Sequence, residues 1–288
     1  MASLLVFGAT GSVGSFLLPR LNTRHFDKIH AVSRRAHSPA SDVQWIRADL
    51  NDAHADLPAA DTLISLGPLD AFQRWLTGNV QTRPRRVIAL SSMSAESKSG
   101  SADAEERKLA QRLVMAEDKL RQTCTARNIA CTLFRPTLIY GAGTDHSLAP
   151  IARFALRWRF LPIPTGARGL RQPVHAADLA DACSTILDNP ATFGRTYAMG
   201  GGERLRFDAM CQRIRAAIPG FVATFPVPVI ALHMAAQYRW LGNVKRSMIE
   251  RLAYDMIADN ALASRDFGYQ PRKFVAEDTM PGPTAAST

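Results

Sequence analysis

The feature that most constrains this chain is its opening. Leu4-Leu5-Val6-Phe7 is a run of four apolar residues. Gly8, Gly11 and Gly14 follow at three-residue spacing, leading into a pattern of Val13, Phe16, Leu17 and Leu21. The run reads as a buried parallel strand, a tight turn and a helix. Gly8 allows the sharp turn, Gly11 lets backbone N–H groups approach a pyrophosphate, and Gly14 lets helix and strand pack closely. The helix N-terminus adds unpaired donors and a partial positive charge. Gly8, Thr10, Gly11, Ser12, Val13 and Gly14 are therefore expected to hold a phosphate. A glycine triplet alone also fits an ordinary turn. Its place between an apolar strand and a helix is what a dinucleotide site requires.

A second strand, Lys28-Ile29-His30-Ala31-Val32, ends in Ser33-Arg34-Arg35 about twenty residues after Gly14. An acidic residue here would bind a ribose 2′-hydroxyl, whereas paired arginines suit a 2′-phosphate. This favours NADP over NAD as cofactor. The other reading is that the arginines merely end a strand in an arginine-rich chain. Further apolar runs at 43–47, 61–68, 85–92 and 130–135, separated by turn or helical segments, give the alternation of an α/β doubly wound parallel sheet. Ligands of such sheets bind at the carboxyl ends of the strands, here Gly8, Arg34, Asp49, Gly67 and Ser91.

With 288 residues, 47% hydrophobic and 21% charged, the chain has the composition of a globular α/β protein. The net charge of +10 is carried mainly by dispersed arginines without a basic run. This favours anionic small-molecule partners over nucleic acid. Cys124, Cys131, Cys183 and Cys211 show no paired or metal-ligand spacing, so reduced thiols and no metal are expected. The first strand begins by residue 4, which points to a cytoplasmic protein. The longest apolar stretch, Phe225 to Ala236, is too short to span a bilayer.

Taken together, the motifs resemble those of an atypical or extended short-chain dehydrogenase/reductase of the NAD(P)-dependent epimerase/dehydratase group. The matching pieces are Gly8-Ala9-Thr10-Gly11-Ser12-Val13-Gly14, Ala48-Asp49-Leu50, Ser91-Ser92 and Arg135-Pro136-Thr137-Leu138-Ile139-Tyr140-Gly141. Val174-His175-Ala176-Ala177-Asp178-Leu179-Ala180, Thr196-Tyr197-Ala198-Met199-Gly200-Gly201 and Asp266-Phe267-Gly268-Tyr269-Gln270-Pro271 complete them. The resemblance implies a Rossmann fold with a smaller C-terminal substrate lobe. It places Asp49 and Leu50 beside the adenine, Leu66, Gly67 and Pro68 against the cofactor, and the segment after Pro136 on the nicotinamide side.

It also implies a departure. Such enzymes use a Tyr-x-x-x-Lys pair on the long helix, four residues apart and so on one face. The corresponding positions here are Leu109 and Leu113, which cannot transfer a proton. Replacement acid/base candidates are Ser92, Tyr140 and His175, with His146 in a glycine-containing loop. The competing reading makes Tyr140 a packing residue, His175 a turn-positioning residue and His146 a solvent-exposed one. Arg171 resembles an arginine that holds substrate diphosphate, against the alternative of a surface arginine. Two functions follow: an oxidoreductase on a nucleotide sugar or other small carbonyl or hydroxyl compound, or a non-catalytic NADP(H)-binding redox sensor or assembly protein.

The dinucleotide core is expected over residues 1–145, completed near 172–200, with the lobe mainly over 146–275. Helices are expected at 103–127, 151–160, 176–189 and 207–218, and a lobe helix through Met248, Leu252, Met256 and Ile257. Phe221 to Leu241 is assigned to core or homodimer packing in preference to a membrane surface, and 276–288 to a disordered tail.

Overall fold

A computed structural model describes residues 2–21, 26–38, 42–141, 143, 145, 147–237 and 246–280. In the first half, β1 (Ser3–Phe7) leads to α1 (Ser12–Leu17), and β2 (Lys28–Ser33), β3 (Gln44–Arg47) and β4 (Thr62–Ser65) follow. Next come α2 (Leu69–Gly78), β5 (Arg86–Leu90), a short α3 (Ser94–Ser97), the long α4 (Ala104–Ala126) and β6 (Ala130–Pro136). The second half opens with β7 (Ile139–Tyr140), α5 (Ala149–Trp158), β8 (Phe160–Thr165), β9 (Leu170–Arg171), β10 (Val174–His175) and α6 (Ala176–Thr185). It continues with β11 (Thr196–Met199), β12 (Leu205–Arg206), α7 (Phe207–Ala217), β13 (Ala223–Pro228), α8 (Val229–Gln237), α9 (Arg246–Glu250) and α10 (Ala261–Phe267).

Seven strands form one parallel sheet in the order β11-β6-β5-β4-β1-β2-β3. Because side chains alternate along a strand, β1 feeds two cores at once. Leu4 and Val6 join Leu17, Leu179 and Tyr197 on one face, while Leu5 and Phe7 join Phe72, Trp75 and Leu120 on the other. Both faces are covered by helices, α1 and α6 on one and α2 and α4 on the other, as an all-parallel sheet requires. The chain order reverses between β1 and β4, and the two strand ends meet there: Leu66 N–H donates to Phe7 O at 2.9 Å. That crevice is where open α/β sheets bind ligands.

The lobe differs from the sequence reading in three places. The helix expected over 151–160 runs instead from Ala149 to Trp158, and Phe160–Thr165 is a strand paired in parallel with β13. Pro162, Pro164, Pro226 and Pro228 disguise this pair, since proline is confined to strand edges. The lobe helix expected through Ile257 ends near Glu250, where a 3-10 turn at Arg251–Ala253 takes over, and Met256 bridges to Arg171. Finally, Ala276–Thr279 folds as a 3-10 turn with Ala276 and Thr279 buried, so the tail is packed at its start. Residues 281–288 lie outside the described residues.

Candidate functional site: the carboxyl edge of the sheet

At the β1–β4 crevice the backbone itself dictates glycine. Gly8 has φ +73°, and a Cβ there would lie 2.8 Å from Gly67 N. A Cβ on Gly14 would lie 2.4 Å from Ala9 O, so the start of α1 sits directly on the turn. Gly11 is different. It is exposed, its φ is −79°, and an added Cβ would meet only Gly8 O at 3.2 Å. The loop over α1 is therefore open on its outer side. Val13 and Gly14 follow in the first turn, where N–H groups lack acceptors within the helix, and Gly11 caps it without a side-chain bond. These residues fit a bound diphosphate: two glycines are demanded by packing and the third leaves approach room.

Along the same edge, Ser33 is buried and its Oγ accepts from Arg35 N–H at 3.1 Å, shaping the turn after β2. Arg34 and Arg35 are exposed, and neither has an acidic partner among the described residues. His37, which the sequence reading passed over, stacks on Trp45 at 4.1 Å and contacts Ser33 Oγ at 3.0 Å. Asp49 is exposed and its carboxylate accepts from Asn51 N–H at 2.9 Å. The Leu50 side chain reaches over Gly67, 3.8 Å from where a Cβ would stand. Leu50 and Leu66 are half-buried and Pro68 is exposed, completing an apolar wall beside the glycine turn.

At the β5–β6 ends the structure shows a buried charge cluster. Glu117 on α4 is fully buried and accepts from Ser91 Oγ, from Arg135 Nε at 2.9 Å and from Arg121 Nη2 at 2.9 Å. Burial alone would raise its carboxyl, but the hydrogen bonds from Arg135 and Ser91 outweigh that and hold it below its usual range. Ser91 thus serves to tie strand to helix. Pro136, at the end of β6, accepts from Met93 N–H at 3.0 Å. Ser92 is half-buried, and its Oγ accepts from Ser94 N–H at 3.1 Å.

The other acid/base candidates are consumed by the fold. Tyr140 is fully buried between His175 and Phe274, with ring centroids 5.1 and 5.0 Å away, and its hydroxyl accepts from Val275 N–H at 3.0 Å. Burial pushes its pKa up to about 12. His175 caps α6: Nδ1 accepts from Ala177 N–H at 3.0 Å, which leaves the proton on Nε2, 3.3 Å from Asp278 Oδ2. Burial, then Arg272, lowers its pKa, so the neutral ring is favoured. These contacts fit the competing reading of both, Tyr140 as a packing residue and His175 as a turn-positioning one. Arg171 is not the surface arginine of the alternative reading. Its guanidinium is buried and donates to the carbonyls of Leu170, Tyr254 and Arg251, at 2.9, 2.9 and 2.7 Å. These three bonds and the Phe207 ring, 5.6 Å from the guanidinium carbon, hold the group inside the lobe. His146 lies outside the described residues.

The long helix carries no tyrosine, and Leu109 and Leu113 are half-buried on it. Lys108 is exposed and pairs with Glu105 at 2.9 Å. One turn before Leu109, Glu106 is buried. It accepts from Ser101 Oγ at 2.8 Å and pairs with Arg251 at 2.8 Å, with Lys98 3.9 Å away. Ser247 Oγ donates to Asp103 at 3.0 Å. The lobe segment 247–251 is thereby fastened to the start of α4. Sequence reasoning missed this latch because only long-range folding brings its halves together. Among the described residues no group of three or more His, Cys, Asp or Glu side chains is placed to hold a metal.

No protein-family model matches the chain. It is 21% identical over 164 residues to a UDP-glucose 4-epimerase of Vibrio cholerae, covering 56% of this chain and 48% of that protein. It is 28% identical over 180 residues to an Arabidopsis thaliana protein, NADH dehydrogenase [ubiquinone] 1 alpha subcomplex subunit 9, mitochondrial, covering 54% and 44%. The matches thus span about half the length of these curated relatives. Among solved structures, MoeE5 in complex with UDP-glucuronic acid and NAD aligns with a TM-score of 0.73 at 19% identity, covering 96% of both chains. A Bifidobacterium longum UDP-glucose 4-epimerase in complex with NAD+ and UDP aligns at 0.72 and 15%, again over 96% of both. The relatives in sequence thus include a UDP-glucose 4-epimerase and NADH dehydrogenase subunits, and the fold neighbours include epimerases and a short-chain dehydrogenase/reductase superfamily protein.

Proposed function

We propose that this relative of the epimerase-like short-chain dehydrogenases is an NAD(P)(H)-binding protein that lacks the group's usual proton relay. The observation that carries the reading is the glycine cradle: Gly8 and Gly14 are enforced by packing, Gly11 is open, and all sit at the sheet's topological switch point. A bound nicotinamide would supply hydride exchange. The chain's own contribution is to seat the diphosphate on α1 and the adenosine against the apolar wall of Leu50, Leu66 and Pro68. Arg34 and Arg35 present two exposed guanidinium groups where a 2′-phosphate would lie, which supports NADP over NAD.

Our reading puts Leu109 and Leu113 where the tyrosine and lysine would stand, and the contacts of Tyr140, His175 and Arg171 within the fold support it. Among the described candidates, Ser92 is half-buried with its Oγ accepting from Ser94 N–H, and a serine can orient a carbonyl but needs a base to act as a nucleophile. This supports a redox-sensing or assembly role, and the respiratory-complex subunits among the relatives point the same way.

A second reading, an oxidoreductase or epimerase on a nucleotide sugar, is favoured by the structural match extending through the lobe. The two are separated by incubating protein loaded with NADP+ or NADPH with a panel of UDP-sugars. Our reading expects retained coenzyme and neither a change in the reduced-nicotinamide band nor a new sugar product. Turnover would establish the second.

A further inference from the structure

Among the described residues, the parallel pair β8–β13 leaves much of its outer face exposed. Leu161, Ile163 and Val222 turn inward and are buried. In the pairing register Phe160 lies beside Ala223 and Pro162 beside Phe225 on the opposite face. There Phe225 is 59% exposed, with Phe221 just before the strand 78% exposed and Trp158, two residues before Phe160, 62% exposed. Helix α8 follows directly. Val229 and Leu232 pack half-buried against Ala167, Ile249 and Leu252, while Ile230 and Met234 point away, 74% and 55% exposed. Isolated exposed apolar residues are ordinary, but a contiguous aromatic and aliphatic patch of this kind marks a docking surface.

Its charge selects the occupant. The stretches of sequence that contain α5 to β10 and most of α7 through α8, residues 147–177 and 209–237, have no Asp or Glu, while Arg153, Arg157 and Arg159 are exposed on or just after α5. Arg157 lies over the Trp158 ring at 5.5 Å, and Arg159 donates to Pro219 O at 2.7 Å, next to Phe221. A second copy of the chain, docked on this face, would set arginine against arginine. Bases would stack on the aromatic rings but leave Ile230, Met234 and the prolines without use. Apolar side chains rimmed by arginines and a tryptophan match a bilayer interface with anionic headgroups. Among the described residues no helix is long and apolar enough to cross a membrane, so any such contact made by them is peripheral.

We propose that the β8–β13–α8 face is a peripheral docking surface for an anionic phospholipid bilayer. The test is co-sedimentation of the full chain with vesicles of equal parts phosphatidylglycerol and phosphatidylcholine, beside pure phosphatidylcholine. The expected result is salt-sensitive binding to the anionic vesicles. The Phe225→Ser/Ile230→Ser double variant should lower it roughly tenfold, and Arg153→Glu/Arg157→Glu should abolish the preference for anionic lipid. Circular dichroism melting of both variants should match the parent. Three results overturn the proposal: no vesicle binding; equal binding to both compositions; or a homodimer in analytical ultracentrifugation, or salt-sensitive DNA capture, that the Phe225→Ser/Ile230→Ser variant removes in place of vesicle binding.

Discussion

Gly14 illustrates how much a single residue can be asked to do. With Ala9 O 2.4 Å from any added Cβ, and the clash being with backbone, Gly14→Ala has nowhere to relax. We expect a loss of about 1–3 kcal/mol in stability, read as a lowered thermal midpoint. This role was legible in the sequence because it is local: the strand, the turn and the helix are consecutive. For Tyr140 and His175 a packing and a turn-positioning role were legible as alternatives, but the partners were not, nor was the role of Arg171, because Val275, Asp278, Tyr254 and Arg251 come from distant segments. His175 makes a prediction of its own. Its folded pKa lies below the ordinary 6.5, so the unfolded chain binds the proton more readily, and stability falls as pH drops below about 6.5. His175→Asn keeps a capping side chain and removes that titration. Denaturant melts at pH 5 and pH 7 should then differ less in the variant than in the parent.

At the scale of elements, the lobe is fastened to the start of α4 by Arg251–Glu106 and Ser247–Asp103. Arg251→Ala should weaken the attachment by about 1.5–3 kcal/mol, the value of a hydrogen bond to a charged group. Amide exchange should show it, with protection lost in 247–256 and kept in the central sheet. Uniform loss across the chain would mean that the segment is integral to the core. The central strands β1, β4 and β5 were readable because both their faces are buried and each is largely an apolar run. The β8–β13 pair escaped notice because its prolines read as turns and its outer face as surface, so neither a two-residue nor a helical period appears. The buried Glu117–Arg135 pair was likewise hidden, charge on α4 being indistinguishable in sequence from a solvated face. Arg135→Met strips Glu117 of its main partner and should cost roughly 3–5 kcal/mol, measured by urea denaturation.

For the whole molecule, the arrangement is a seven-stranded parallel sheet whose switch point carries an open glycine turn, with a lobe latched over its carboxyl edge. The fold class and the cofactor edge followed from the alternation of apolar runs and turns, whereas the chemistry at the edge depended on tertiary contacts that no spacing rule encodes. Tyr140, His175 and Arg171 are engaged in the packing of the fold, and the proposed function accordingly rests on the open glycine turn. The most direct test is a calorimetric titration with NADPH and with NADH, on the parent and on Arg34→Asp. The account predicts that the parent binds NADPH more tightly than NADH and that Arg34→Asp removes the difference while leaving the NADH affinity in place. A parent protein that takes up neither coenzyme would contradict it.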